Sequence, residues 1–125
     1  LSTTSLDMIS AIPTDLLLDS IATRLDPAVI RNASVALNFN FADRNEKARV
    51  TVENAVMISE MGEAHAKPAV TLTGPRQFFL GLFFLKLPLA QLEAAGLKIE
   101  GDRTAIEALQ AAIETPPNVF NIVTP

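Results

Sequence analysis

One apolar stretch, Gly74 to Leu92, constrains the fold of this chain more than any other part of its sequence. Four of the seven Phe residues of the chain lie in it. Thr73 is placed to cap a helix and Pro75 suits a first helical turn, so a helix is predicted to begin here. From Phe78 to Leu85 no side chain is charged or polar. A helix that is apolar all round must be covered on every side, by the protein's own core, by another domain or by an apolar ligand.

The composition excludes several classes of function. At 125 residues the chain has the size of a single domain. It contains no Cys, which excludes disulfides, thiolate metal sites and cysteine nucleophiles and leaves the redox compartment open. The absence of Trp and Tyr favours dry aromatic contacts. The net charge is −4 and the ten basic residues are scattered, so no nucleic-acid partner is expected. No apolar run is long enough for a transmembrane segment.

The start of the chain resembles a connection to another domain. Residues 1–13 are polar, end at a proline and are interpreted as a linker from an upstream domain. Because they include neither an initiator Met nor a signal peptide, we expect the chain to belong to a longer protein. Residues 14–125 are expected to form the domain itself. Its first helix is predicted from Thr14 to Leu25, where Leu17, Ile21 and Leu25 recur at helical spacing.

Alternating apolar and polar residues predict the strands. Ser34 to Phe41 and Lys47 to Glu53 alternate cleanly and are joined by turn-forming residues, which predicts a hairpin. Asn54 tolerates a positive φ and is expected in a second tight turn, before a third strand that ends near Met61. Ala69 to Thr73 is predicted as a short fourth strand. Together these strands predict an antiparallel meander that precedes the Phe-rich helix.

The elements after the Phe-rich helix are marked by their end residues. Pro88 is predicted to start a short helix that ends at Gly96. Leu97 to Glu100 alternate as a fifth strand. Asp102 is placed to cap a last helix, which is stopped by two consecutive prolines. Residues 118–125 are predicted to form an extended apolar tail that could dock on the body of the domain.

The residue types that catalysis requires do not cluster. His65 is the only His and lies in a loop-like segment, where a solvated side chain is expected and a zinc ion would lack further ligands. Ser34 and Ser59 lack a nucleophile motif, and the five Gly residues form no phosphate-binding loop. Glu60 and Glu63 are close in sequence, but a carboxylate pair at a turn is more often solvated than catalytic. We therefore expect this chain alone to be no enzyme and to hold no cofactor and no metal.

The order of several short segments resembles the C-terminal domain of bacterial alkyl sulfatases over nearly the whole chain. The segments that carry the resemblance are Phe41-Ala-Asp43-Arg-Asn-Glu46, Val52-Glu-Asn54-Ala-Val56, Thr71-Leu-Thr73, Ile99-Glu-Gly101-Asp102 and the closing Phe120-Asn-Ile-Val-Thr-Pro125. The segment Ile12 to Asp26 is also similar to the first helix of that domain. The resemblance implies an α+β fold of the sterol-carrier-protein-like type, a mostly antiparallel five-stranded sheet with helices packed on one side.

The resemblance also implies a division of labour in the parent protein. In the full enzymes a metallo-β-lactamase-type domain holds two zinc ions and hydrolyses the sulfate ester, a helical domain mediates dimerisation, and the C-terminal domain gathers the alkyl chain. Zinc is thus expected in a catalytic domain outside this chain. The upstream catalytic and dimerisation domains are the implied protein partners. The resemblance points to the bacterial periplasm or the cell exterior, whereas the residues leave the compartment unknown.

Two main hypotheses account for the apolar helix. In the first, the helix and the inner face of the sheet hold the alkyl chain of a surfactant or another fatty ligand. Six residues would line that site: Phe78, Phe79, Leu82, Phe83, Phe84 and Leu85. In the second, the helix packs on a catalytic or dimerisation domain, or in a homodimer, and binds no ligand. A third interpretation, a free-standing lipid or sterol carrier, agrees less well with the linker-like start.

Overall fold

A computed structural model describes residues 12–30 and 34–114 of the protein. These residues form five helices and five strands. In chain order the elements are α1 (Thr14–Ala22), α2 (Pro27–Ile30), β1 (Ser34–Phe41), β2 (Glu46–Glu53), β3 (Val56–Met61), β4 (Val70–Gly74), α3 (Arg76–Phe83), α4 (Leu89–Ala95), β5 (Lys98–Gly101) and α5 (Arg103–Ala112). All five predicted strands are present, whereas the short helix α2 was missed by the sequence patterns.

The five strands form one mixed sheet in the order β3-β2-β1-β4-β5. Three of the four neighbouring pairs are antiparallel, and β1 with β4 is the parallel pair. The mostly antiparallel five-stranded sheet is therefore confirmed. The prediction that β4 continues an antiparallel meander is wrong, because β4 crosses to the far side of the hairpin and pairs with β1. Sequence alternation identifies a strand but carries no information on its neighbour.

The helices cover one face of the sheet, where the core lies. The predicted alternation is confirmed there, since Leu37, Phe39 and Phe41 of β1 are fully buried, as are Ala48, Val50 and Val52 of β2. These residues meet the side of α3 that carries Phe79 and Phe83. The ring centroids of Phe39 and Phe79 are 5.0 Å apart, and those of Phe41 and Phe79 are 4.6 Å apart. The core is built around this cluster of phenylalanine rings.

The connection from β3 to β4 crosses the opposite face of the sheet. The side-chain amide of Asn38 accepts a hydrogen bond from the backbone N–H of His65 at 2.8 Å and donates one to its carbonyl oxygen at 3.0 Å. The ring Nε2 of His65 lies 3.1 Å from both Thr51 Oγ1 and the carbonyl oxygen of Val50. Instead of being solvated as expected, His65 is half-buried and fixes the loop against β1 and β2.

The predicted helix ends are confirmed in part. Asp102 caps α5, since its carboxylate accepts a hydrogen bond from the backbone N–H of Thr104 at 2.9 Å. Gly96 ends α4 with a φ of 127°, a conformation that favours glycine. The prediction that Thr73 caps the Phe-rich helix is wrong, because Thr73 lies within β4 and the N-cap position of α3 is Pro75, whose side chain makes no hydrogen bond.

Two predictions concern segments outside the described residues. Apart from Ile12 and Pro13, the proposed linker lies there, and so does the proposed C-terminal tail, residues 118–125. Both remain predictions. Among the described helices, none has the length and apolar character that a bilayer crossing requires.

We predict that Phe79→Ala lowers the free energy of unfolding by about 3–5 kcal/mol, because it leaves a cavity among the core rings. Leu85→Ala is the matched control, since Leu85 follows the same helix but is half exposed, and a loss of about 0.5 kcal/mol or less is expected. Urea unfolding followed by circular dichroism measures both values. Equal losses for the two variants would contradict this assignment of the buried side of α3.

Candidate functional site

A groove of about 890 Å³ lies on the outer side of the helical layer. We call it the helical groove, and α1, α3 and α4 form its walls. Its lining is mostly apolar and consists of Ile12, Leu16, Leu17, Ser20, Arg24, Gln77, Phe78, Leu80, Gly81, Phe84, Leu85, Leu87, Gln91, Leu92 and Ala95. The groove is the candidate site because it combines a large volume with an apolar lining, as small-molecule sites commonly do.

The six predicted lining residues, on α3 and in the two positions that follow it, fall into two groups. Phe78, Phe84 and Leu85 do line the helical groove. The other three, Phe79, Leu82 and Phe83, are at most 1% exposed and belong to the core. This division follows from helical geometry, because residues three and four positions apart share a face and their neighbours point elsewhere.

The expected location of the ligand needs a correction. We expected the site between the Phe-rich helix and the inner face of the sheet, but that interface is filled by core side chains. Phe83 lies against Phe39 there, with ring centroids 6.0 Å apart. The available volume lies on the opposite side of α3, and Phe79, Leu82 and Phe83 do not line it.

The helix α1 supplies a wall that the sequence interpretation missed. Leu17, the first residue of the predicted apolar stripe, is buried, but Leu16 beside it is also apolar and is 54% exposed. Ser20 and Arg24 follow Leu16 at four-residue spacing, so the three side chains line the groove along one face. The sequence did contain one indication of this wall. Leu16 is apolar but lies outside the stripe of residues by which α1 packs into the core.

A buried polar cluster holds the start of α1 against the start of α3. The hydroxyl of Thr14 donates a hydrogen bond to the carboxylate of Glu46, at the start of β2, and accepts one from Arg76 Nη1 at 3.3 Å. Thr14 and Arg76 are only 2% and 3% exposed. A buried hydroxyl and a buried guanidinium are costly without hydrogen-bond partners, so these contacts favour one position of α1. Since α1 forms one wall of the groove, its position sets the width of the groove.

The same cluster caps α3 from a distant part of the chain. The backbone N–H of Arg76 donates to the carboxylate of Asp43 at 3.0 Å, which replaces the local cap that Thr73 does not supply. Burial lowers the pKa of the Arg76 guanidinium, and the neighbouring Arg44 lowers it further, while Asp43 and Glu46 act in the opposite direction. A guanidinium stays protonated despite such a shift, so Arg76 contributes a permanent positive charge to this cluster.

The residues considered for catalysis do not assemble into a site. Glu60 forms two hydrogen bonds with the guanidinium of Arg49, at 2.9 and 2.8 Å, and this pairing lowers the pKa of its carboxyl group. Ser59 is half-buried on β3, and its hydroxyl has no hydrogen-bond partner among the described residues. Within residues 12–30 and 34–114, no group of three or more His, Asp or Glu side chains could hold a metal ion.

Comparison with known proteins identifies the family. A model of the alkyl sulfatase C-terminal family matches residues 2–125, which is nearly the entire chain. The chain belongs to this family. The resemblance seen in its short sequence segments is thereby confirmed, and the groove described above is a feature of an alkyl sulfatase C-terminal domain.

Two curated relatives of this family member come from Pseudomonas sp. A linear primary-alkylsulfatase is 30% identical over 124 residues, which cover 98% of this chain and 18% of the relative. An (R)-specific secondary-alkylsulfatase is 28% identical over 121 residues, which cover 95% of this chain and 18% of the relative. The chain thus spans about a fifth of the length of these relatives.

Solved structures show the fold of this alkyl sulfatase C-terminal domain. An inverting secondary alkylsulfatase from Pseudomonas sp. superposes with a TM-score of 0.79 at 22% identity, covering 86% of this chain and 17% of that one. A ubiquinone synthesis protein with a sterol-carrier-type domain gives a TM-score of 0.66 at 14% identity. The match covers 79% of this chain and 90% of that protein. Sterol carrier protein 2-like 2 from Aedes aegypti gives a TM-score of 0.55 at 20% identity. The match covers 83% of this chain and 97% of that protein. The sterol-carrier-protein-like fold is therefore confirmed.

We predict that Thr14→Val lowers the free energy of unfolding by about 1–3 kcal/mol, because Glu46 and Arg76 each lose a hydrogen-bond partner in a buried environment. Thr23→Val is the matched control, since its exposed hydroxyl donates only to the carbonyl oxygen of Ser20, and a change within about 0.5 kcal/mol is expected. Thermal and urea unfolding of both variants measures the difference. If Thr14→Val were as stable as the control, the polar cluster would not hold α1.

Proposed function

We propose that this chain is the non-catalytic accessory domain of a zinc-dependent alkyl sulfatase and that its helical groove binds the alkyl chain of sulfate-ester surfactants. The domain gathers this chain beside a separate hydrolase domain, where two zinc ions supply the hydrolytic chemistry. The observation that carries the proposal is the apolar groove on a domain of the alkyl sulfatase C-terminal family. No step of hydrolysis is assigned to residues of this chain.

The dimensions of the groove support an alkyl ligand. Its volume of about 890 Å³ lies in the range of roughly 300–1,000 Å³ that is typical of small-molecule pockets. Side chains from three different helices contribute, with Leu16 on α1, Phe78 on α3 and Leu92 on α4. An alkyl chain lying among them would exchange water for apolar contacts over much of its length.

The energetics favour weak and unselective binding. Burial contributes about 0.8 kcal/mol per CH₂ group, so a dodecyl chain gains on the order of 10 kcal/mol before any cost is subtracted. Association costs roughly 4 to 15 kcal/mol in lost translational and rotational freedom, which offsets most of that gain. A domain that raises the local concentration of substrate needs no tighter binding, because the substrate must leave the groove to react.

The relatives add support of the same kind. The two curated relatives act, by their names, on primary and secondary alkyl sulfates. The Aedes aegypti protein of the same fold was solved in a palmitated form. The same fold is thus compatible with an aliphatic chain in one protein, which supports the binding of an aliphatic chain by the helices of this domain.

A second candidate function is a structural interface. Ile12, Leu16 and Leu85 stand exposed around the groove, and the chain spans only about a fifth of its curated relatives. A catalytic or dimerisation domain of the parent protein could cover these side chains without any ligand. The isolated chain distinguishes the two functions, because only the first requires binding of a free amphiphile.

We predict that Leu85→Asp weakens binding of a fluorescent fatty acid, and of dodecyl sulfate below its micelle concentration, by at least about tenfold. The physical reason is the cost of desolvating a carboxylate in the apolar groove. Ile58→Asp is the matched control, because Ile58 is similarly exposed, at 56% against 50%, but lies on strand β3 outside the groove. Fluorescence titration measures affinity, and circular dichroism confirms that each variant is folded. Phe83→Asp is unsuitable, since Phe83 is fully buried and its loss would unfold the core.

Two results would contradict the proposed function. Equal affinities of wild type, Leu85→Asp and Ile58→Asp would place the ligand elsewhere on the domain. Absence of saturable binding, together with dimerisation of the chain in solution, would assign the groove to the interface function instead.

A further inference from the structure

Among the described residues that line the helical groove, one carries a charged side chain. That residue is Arg24, and neither an Asp nor a Glu of residues 12–30 and 34–114 lines the groove. The remaining polar side chains of the lining, Ser20, Gln77 and Gln91, are neutral. The charge in this mostly apolar cleft is therefore positive, and electrostatic interactions are stronger in such surroundings than in bulk water.

Arg24 is held at its backbone while its side chain reaches the groove. Its carbonyl oxygen accepts a hydrogen bond from the backbone N–H of Glu114 at 2.8 Å, which joins the end of α1 to the end of α5. The guanidinium carbon lies 5.8 Å from the ring centroid of Phe84, so the cation stacks on a ring that itself lines the groove. This stacking restricts the orientation of the guanidinium before any ligand arrives.

The hydrogen bonding of Arg24 is incomplete within the described part of the chain. Its Nε atom is buried and has no hydrogen-bond partner there. A buried N–H without a partner is costly, and the planar guanidinium matches the oxygens of a carboxylate or sulfate better than any other side chain does. A negatively charged group with several oxygens, bound in the groove, would pair with this guanidinium and balance its charge.

We propose that Arg24 is the head-group residue of the helical groove, which binds single-chain amphiphiles with an anionic oxygen head group in preference to neutral amphiphiles of equal chain length. This inference rests on the proposed binding of alkyl chains. Arg24 and Phe84 follow the ends of α1 and α3, whereas Leu16 lies roughly two helical turns earlier. The head group therefore lies beside Arg24, and the tail runs along α1 toward Leu16.

The consequence for a sulfatase is discrimination between substrate and product. Hydrolysis of an alkyl sulfate by water yields hydrogen sulfate and a neutral alcohol with the same alkyl chain. Both molecules make the same apolar contacts, but only the substrate carries the charge that Arg24 attracts. The groove thus concentrates substrate and releases product, which apolar contacts alone could not achieve.

The test compares ligands that share one alkyl chain. The 125-residue chain is titrated below the micelle concentration with dodecyl sulfate, dodecanoate and dodecanol, and each ligand displaces the neutral fluorescent dye Nile red. We expect the two anions to bind about tenfold more tightly than the alcohol, which corresponds to a single charge-assisted contact. Added salt should weaken binding of the anions and leave that of the alcohol unchanged.

Substitution of Arg24 separates head-group binding from packing. Arg24→Gln should weaken dodecyl sulfate about tenfold without changing dodecanol, and Arg24→Lys should retain part of the preference, because an ammonium keeps the charge but lacks the planar fork. Lys98→Gln is the control for overall charge, since Lys98 is an exposed cation that does not line the groove. Circular dichroism checks the fold in every titration.

Several outcomes would overturn the inference, and they are distinguishable from failure of the proposed function. Equal affinity of wild type for dodecyl sulfate and dodecanol would overturn the role of Arg24 and leave alkyl binding intact. An equal loss for both ligands in folded Arg24→Gln would show a packing role only. Binding of neither ligand would refute both proposals. Binding to anionic phospholipid vesicles alone would show that the domain recognises a membrane surface and not a single amphiphile, which would also overturn the inference. If Arg24→Gln failed to fold, the ligand preference of the wild type and its dependence on salt would still show whether the groove prefers an anionic head group.

Discussion

The packing of phenylalanine rings between the sheet and α3 is the interaction on which the rest of the structure depends. Phe39 and Phe41 project from β1, and Phe79 and Phe83 project from α3 to meet them. Phenyl rings have no polar group to satisfy, so they can be enclosed completely without hydrogen-bond partners. This dry contact fixes the rotation of α3 about its axis and therefore decides which of its apolar residues face the sheet.

The helical groove is a consequence of that rotation. Once one side of α3 is committed to the core, Phe78 and Phe84 must face outward, where α1 and α4 stand beside them. The position of α1 depends in turn on polar contacts, because Thr14 joins Glu46 to the guanidinium of Arg76. A dry core and a buried polar cluster thus cooperate to leave an apolar cleft that neither would create alone.

The described side chains have partners or positions that bear on the proposed function. Its one His supports a loop on the far face of the sheet, and its paired carboxylate, Glu60, is engaged by Arg49. The groove offers apolar contact along its length and a positive charge at one end. An amphiphile has the same distribution, with an apolar tail and a head group that is charged only before hydrolysis.

Much of the fold followed from patterns that span only a few residues. The strand alternation, the cap of α5 by Asp102 and the end of α4 at Gly96 were predictable, because each depends on the dihedral preferences and hydrogen bonds of neighbouring residues. The candidate site was predicted only in part. Phe78, Phe84 and Leu85 were expected to line it, but the contribution of α1 was not foreseen.

The sequence alone determined that this chain contains a helix too apolar to be covered on one side only, and that it carries the segments of its family. The tertiary structure alone decided that β4 pairs with β1, that Asp43 caps α3 and which side of α3 is left to form a groove. The physical reason is distance along the chain. These outcomes depend on contacts between residues about thirty positions apart, for which local periodicity carries no signal.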